Sequence, residues 1–174
     1  MPFSGVPTES VLDQFRGHLI QEEQLLVELT QVLNEIRDLL VRKQQDAIEE
    51  QTDRHARILK KCEHLGQQRR EFLQELARRF DLVSSNRVTI GQIAQSIGGA
   101  SDREWLLEKR DRLEQFTGLI GRLNRQNAAI IVHEADHARE VVRRLTGAEP
   151  GDRYDADGLR QDADAAGSIM SAEG

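Results

Sequence analysis

Apolar residues recur along this chain at helical spacing over most of its length. Leu12, Phe15, Leu19, Leu26, Leu29, Leu33, Ile36 and Leu40 follow one another at steps of three, four or seven, and Glu22 is the one polar residue on their line. That spacing draws a single stripe down a helix. It predicts a first helix over about 10–43, with Pro7-Thr8-Glu9-Ser10 supplying hydroxyls and an early acid at its start. The stripe fades between Lys43 and His55 and resumes out of register at Ile58, Cys62, Leu65, Arg69, Phe72, Leu76 and Phe80. A turn near Lys43–Asp46, with Asp46 as a candidate cap, and a second helix over 46–80 account for the break. One continuous helix from 10 to 80 is the alternative.

From Asp81 to Ala100 the chain turns rich in Gly and Ser. Within this linker Thr89 is placed to cap a short helix near 90–97 that carries Ile90, Ile93 and Ile97 and ends at Gly98-Gly99. The short helix reads as a plug over one end of a bundle. Ser101-Asp102-Arg103-Glu104 has the spacing of a capping box, which predicts a third long helix over about 102–146. It carries Trp105, Leu106, Leu113, Phe116, Ile120, Leu123, Asn127, Ile130 or Ile131, Glu134, Val141 and Leu145, with Gly118 and Gly121 inside it.

Three long helices with one seam each specify an all-α, elongated antiparallel bundle. In such packing each helix buries one stripe, whereas Ala128-Ala129-Ile130-Ile131-Val132 is apolar all round. Part of that girdle is therefore expected in water, as an interaction surface. Cover from the short helix is the alternative.

Composition narrows the class. Aromatics make up 4 % and charged residues 31 %, and no proline falls between Pro7 and Pro150, which suits long helices rather than a thick core. The net charge of −6 argues against nucleic acid as partner. Residues 149–174 hold seven acids against two bases, so −5 of the −6 lies there. The expected organisation is one helical domain over 1–148 and a flexible acidic tail over 149–174. No apolar run nears the roughly 20 residues of a membrane span, and Met1-Pro2-Phe3-Ser4-Gly5 lacks the parts of a signal peptide. With one cysteine, Cys62, no internal disulfide is possible. A cytoplasmic protein without direct membrane insertion is the simplest reading.

Candidate chemistry is sparse. His133-Glu134-Ala135-Asp136-His137 matches the H-E-x-x-H pattern, in which two histidines one turn apart hold zinc and the glutamate polarises its water. A catalytic zinc needs a third protein ligand and a walled cleft. No histidine follows His137, and no stretch reads convincingly as a strand, so a zinc metallopeptidase stays a remote alternative. No catalytic residue, metal or cofactor is assigned. Cys62 reads as a small apolar seam residue, and Arg69-Arg70 and Arg143-Arg144 as solvated pairs. Asn124 and Asn127, one turn apart, are candidates either for a register pin or for gripping a partner. Tyr154, the one tyrosine, stands in an acidic segment as a candidate anchor for a partner's pocket.

Four stretches together resemble the FlgN-type flagellar export chaperones. They are the leucine-rich first helix through Lys43-Gln44-Gln45; Ile58-Leu59-Lys60-Lys61 followed by Leu65-Gly66-Gln67-Gln68-Arg69-Arg70; Leu123-Asn124-Arg125-Gln126-Asn127 with its apolar continuation; and Tyr154-Asp155-Ala156-Asp157-Gly158. The resemblance implies a cytosolic chaperone of the flagellar type III secretion apparatus, not an enzyme. Its clients would be the hook–filament junction proteins, held by their C-terminal helical segments and delivered to the export gate and ATPase complex. Leu123, Asn124, Asn127, Ile130 and Ile131 would lie on or near the client-binding helix, on a face that continues through Glu134 and Val141. Tyr154, Asp155, Asp157 and Gly158 would belong to a tail segment for gate docking or client contact. A self-associating coiled-coil scaffold would use the same seams and is the alternative from another class.

Overall fold

The structure, a computed structural model, describes residues 7–82, 88–146, 153–154 and 160–161. Four helices carry the described residues: α1 (Thr8–Arg42), α2 (Gln45–Arg79), α3 (Ile90–Ser96) and α4 (Ala100–Thr146). The all-α expectation holds. After α4, Arg153–Tyr154 (β1) and Arg160–Gln161 (β2) pair antiparallel, Arg153 opposite Gln161 and Tyr154 opposite Arg160. By contact the chain divides into two units, Met1–Ile130 and Ile131–Gly174, a division that falls inside α4.

The reversal between α1 and α2 is where the loss of register placed it, so residues 10–80 are two helices. Lys43 adopts a left-handed conformation (φ 56°), its N–H donates to the Leu40 carbonyl, and the Gln44 N–H donates to Leu39. This pattern closes a helix by satisfying its last carbonyls. Asp46 is not the cap. Gln44 takes that position, and Asp46 lies in the first turn of α2, where a carboxylate favours the helix dipole. The same closure ends α2: Asp81 is left-handed (φ 48°), the Leu82 N–H donates to Ala77, and the Leu82 side chain packs back on the core.

Thr89 caps α3 as its sequence suggested. Its hydroxyl accepts from the Gln92 N–H while the Gln92 side chain accepts from the Thr89 N–H. The box expected at Ser101 and Glu104 is displaced, because α4 already begins at Ala100, with the Arg103 N–H donating to the Gly99 carbonyl. Ser101 thus stands inside the first turn.

In the first unit α2 runs antiparallel to α1, as Arg54 meeting Glu28 and Arg69 meeting Glu22 require. α4 runs parallel to α1: Arg16 pairs with Asp102, Glu23 with Lys109 and Arg112, and Leu33 with Asn127. Two apolar clusters fill the interior. One joins Val11, Phe15 and Leu19 of α1 to Leu73 and Leu76 of α2, Ile90, Ile93 and Ile97 around α3, and Leu106 and Leu113 of α4. The other joins Leu29, Val32, Leu33 and Ile36 to Ile58 and Leu123.

Between the clusters lies a polar layer. Glu22 and Glu23 are both buried, and successive helical residues point about 100° apart. Glu22 accordingly reaches α2, where Arg69 Nη1 donates to it at 2.7 Å. Glu23 reaches α4, where it accepts from Lys109 and, at 2.8 Å, lies against Arg112 Nε. Arg69 is therefore half-buried and paired, rather than a fully solvated base. Burial raises the Glu22 carboxyl above its usual range, and the charge and hydrogen bond of Arg69 pull the other way. His18 is buried beside it and stacks obliquely on Phe72, ring centroids 5.4 Å apart. Desolvation lowers its pKa, opposed by a backbone hydrogen bond with Leu65 and reinforced by the charges of Arg69 and His64.

Two predictions follow from this layer. Arg69→Leu leaves buried Glu22 without its counter-charge and lowers the unfolding free energy by roughly 3 kcal/mol. Replacing both residues with Leu restores most of the loss, as a urea denaturation series on the two variants will read. Second, the imidazoles of His18 and His55 resist protonation when folded, both through burial. The unfolded chain therefore binds more protons just below pH 6.5, so stability is full above that value and declines as pH falls through it. The raised Glu22 carboxyl acts in the opposite sense at lower pH, gaining stability as it protonates. Urea midpoints from pH 8 to 5.5 will show the decline, and the His18→Gln, His55→Gln double variant will flatten it.

Candidate functional site

The residues singled out on α4 fall into two groups. Within the first unit, Leu123 is buried in the second apolar cluster, and Asn127 is buried beside it. Asn127 Nδ2 donates to the Leu33 backbone carbonyl at 3.0 Å. A buried asparagine that must find one particular carbonyl fixes the axial register of α4 against α1. Asn124, one turn earlier, is exposed, and Ile130 is half-buried. The two asparagines thus divide the roles open to them: Asn127 pins the register, and Asn124 remains available to a partner.

In the second unit the same helix presents its apolar residues to solvent. Ile131 is 53 % exposed, Val132 59 %, Val142 58 % and Leu145 82 %, with Val141 also exposed. Of the eight large apolar side chains most exposed among the described residues, these are five. Ile131, Ala135, Ala138, Val142 and Leu145 follow at steps of four and three and so share one face. Part of the girdle at 128–132 is open to water, as its composition implied: Ala128, Ala129, Ile131 and Val132 are exposed, and Ile130 is half-buried.

Val142, absent from the expected seam, belongs to this face, and Leu145, expected on the seam, is exposed on it. The four-three spacing from Ile131 contained the signal. Glu134 is half-buried, and Val141 is exposed.

The charged residues alongside are tied to one another. Arg139 donates to Asp136 at 2.8 Å, and both Arg143 and Arg144 donate to Glu140 at 2.8 Å. Hydrogen bonds from the two guanidiniums hold the Glu140 carboxyl well below the usual carboxylate range. These pairs flank the apolar face, and with two arginines on one glutamate they leave a single net positive charge.

His133 and His137 are exposed on α4, and no group of three or more metal-ligating side chains occurs among the described residues. Among the described residues the pair has no third ligand of the kind that a zinc site requires. Cys62 is half-buried against the second apolar cluster, and desolvation, with Glu22, Glu28 and Glu63 nearby, pushes its thiol pKa up. That is the environment of an inert thiol. In the tail, Tyr154 is described only through its backbone pairing with Arg160, and Asp155, Asp157 and Gly158 lie outside the described residues.

Among the described residues no helix is long and apolar enough to cross a membrane. A family model described as FlgN protein matches residues 11–161. No curated protein and no solved structure matches the chain.

The two asparagines separate experimentally. Asn127→Ala removes one buried hydrogen bond and costs roughly 0.5–1.5 kcal/mol of unfolding free energy, whereas Asn124→Ala, at an exposed position, changes it by less than about 0.5 kcal/mol. Chemical denaturation of the two variants side by side checks both values.

Proposed function

Because the chain belongs to the FlgN family, a family of flagellar export chaperones, we propose that its clients are the hook–filament junction proteins, held by their C-terminal helical segments. The observation that carries this reading is the exposed apolar face of α4 from Ile131 to Leu145. An amphipathic client helix laid along it would cover Ile131, Val142 and Leu145 and exchange water for apolar contact, a helix-in-groove mode. Ala135 and Ala138 between them leave room for close approach of the client backbone.

Junction proteins assemble through terminal helices that have no partner in the cytosol. Covering those helices prevents premature assembly, and no bond is made or broken, so no catalytic residue is needed. A client held this way can be released at the export gate. Tyr154, Asp155, Asp157 and Gly158 are proposed to contact the gate or its ATPase complex. The four-three spacing on α4 also suits self-association, and that second reading predicts a stable homo-oligomer without client.

The test is a calorimetric titration of the full chain with peptides spanning the C-terminal segments of the host's junction proteins. Saturable binding is expected, and Ile131→Asp with Leu145→Asp should weaken it at least tenfold, about 1.4 kcal/mol, while circular dichroism melting stays unchanged. Undiminished binding by that variant would move the contact off α4. A stable oligomer of the free chain, dispersed by the same substitutions, would favour the self-associating scaffold.

A further inference from the structure

The α1–α2 pair has a flank that α4 does not occupy. At about 100° per residue, Gln21, Leu25 and Glu28 point roughly opposite to Glu23, the residue through which α1 meets α4. On that flank α1 and α2 enclose a groove of about 730 Å3. Leu25 and Leu65 supply its floor, and Leu25 is continuous with the second apolar cluster. Its walls carry Arg57, Lys60 and Lys61 on α2 and Glu28 on α1.

The charges of this groove are not balanced from within. Glu28 is already engaged by Arg54 at 3.3 Å. Arg57, Lys60 and Lys61 are exposed and form no hydrogen bond or ion pair among the described residues. Some cations of the first unit do pair with acids: Arg69 with Glu22, Lys109 and Arg112 with Glu23, and Arg79 with Glu75. An apolar floor beside three uncompensated cations selects a ligand that is apolar on one side and anionic along the adjoining edge.

We propose that this groove is a second protein-docking site, whose occupant is a short amphipathic helix with an acidic flank. Gln21 to Glu28 spans about two helical turns, roughly 10 Å, so two to three turns of the occupant fill it. Apolar residues of the occupant at one-turn spacing rest on Leu25 and Leu65, and its Asp or Glu side chains meet Arg57, Lys60 and Lys61. The occupant takes the place of a further helix in the bundle. The groove is built by the first unit alone and is independent of the apolar face at 131–145, so a chaperone with both surfaces engages a client and a second protein through different residues.

The experiment uses the full chain and fluorescein-labelled helical peptides of about 20 residues, with one leucine stripe and either Glu or Lys along its flank. Fluorescence anisotropy should show saturable binding of the Glu-flanked peptide. The Lys-flanked peptide should bind at least tenfold more weakly, and raising salt from about 50 to about 300 mM should narrow the difference. The Arg57→Glu, Lys60→Glu, Lys61→Glu variant, altered only at exposed positions, should lose at least tenfold for the Glu-flanked peptide and gain affinity for the Lys-flanked one. If that variant does not fold, Lys61→Glu alone with the same two peptides reads the same exchange at smaller amplitude. Ile131→Asp with Leu145→Asp should leave these affinities unchanged, which separates this site from the α4 face. Equal binding of the two peptides, no saturable binding of the Glu-flanked one, or undiminished binding by the charge-reversed variant overturns the proposal. So does a concentration-dependent dimer that charge reversal abolishes, because the occupant would then be a second copy of this chain.

Discussion

Two neighbouring carboxylates organise the first unit. Glu22 and Glu23 are buried on α1 about one third of a turn apart, so each meets a different neighbour: Glu22 meets Arg69 of α2, and Glu23 meets Lys109 and Arg112 of α4. Apolar stripes attract one another without direction, and a three-helix packing of leucine seams tolerates several registers and rotations. A buried charge tolerates very few, because every arrangement that leaves it unpaired costs several kcal/mol. The pair therefore contributes uniqueness more than stability. Asn127, bonded to the Leu33 carbonyl, repeats the device farther along α1.

This layer also separates the apolar interior into two clusters with different surroundings. The cluster toward the start of α1 is closed by α3 and by the Leu82 side chain, and Trp105, packed against it, has the cations of Arg16 and Lys109 at 5.7 and 5.5 Å from its ring centroid. The other is built mainly from aliphatic side chains of α1, with Ile58 and Leu123. Leu25, at its edge, is also where the basic groove opens.

α4 combines two kinds of surface in one continuous helix. Up to Asn127 it buries Leu106, Leu113, Leu123 and Asn127 itself, and from Ile131 onward apolar residues at the same spacing are exposed. A helix that keeps its hydrophobic period where its side chains remain in water carries material for an intermolecular contact.

The sequence by itself determined the helices, their approximate ends, the turn at Lys43, the capped helix at Thr89 and the excess of apolar residues at 128–132, because hydrophobic period, capping residues and glycine placement act within a few residues of one another. It also marked the family, through motifs spread over the chain. It did not reveal that Asp46 is bypassed as a cap, that α4 starts before Ser101, or that Glu23 is buried. Nor did it separate Asn127 from Asn124, although both stand in the same short motif. Those outcomes depend on which neighbouring helix each side chain meets and at what height, and that is decided by packing among segments some 50 to 90 residues apart. The tertiary structure alone also assembled the groove of Leu25, Leu65, Arg57, Lys60 and Lys61, because its walls come from two helices whose antiparallel register no local pattern encodes.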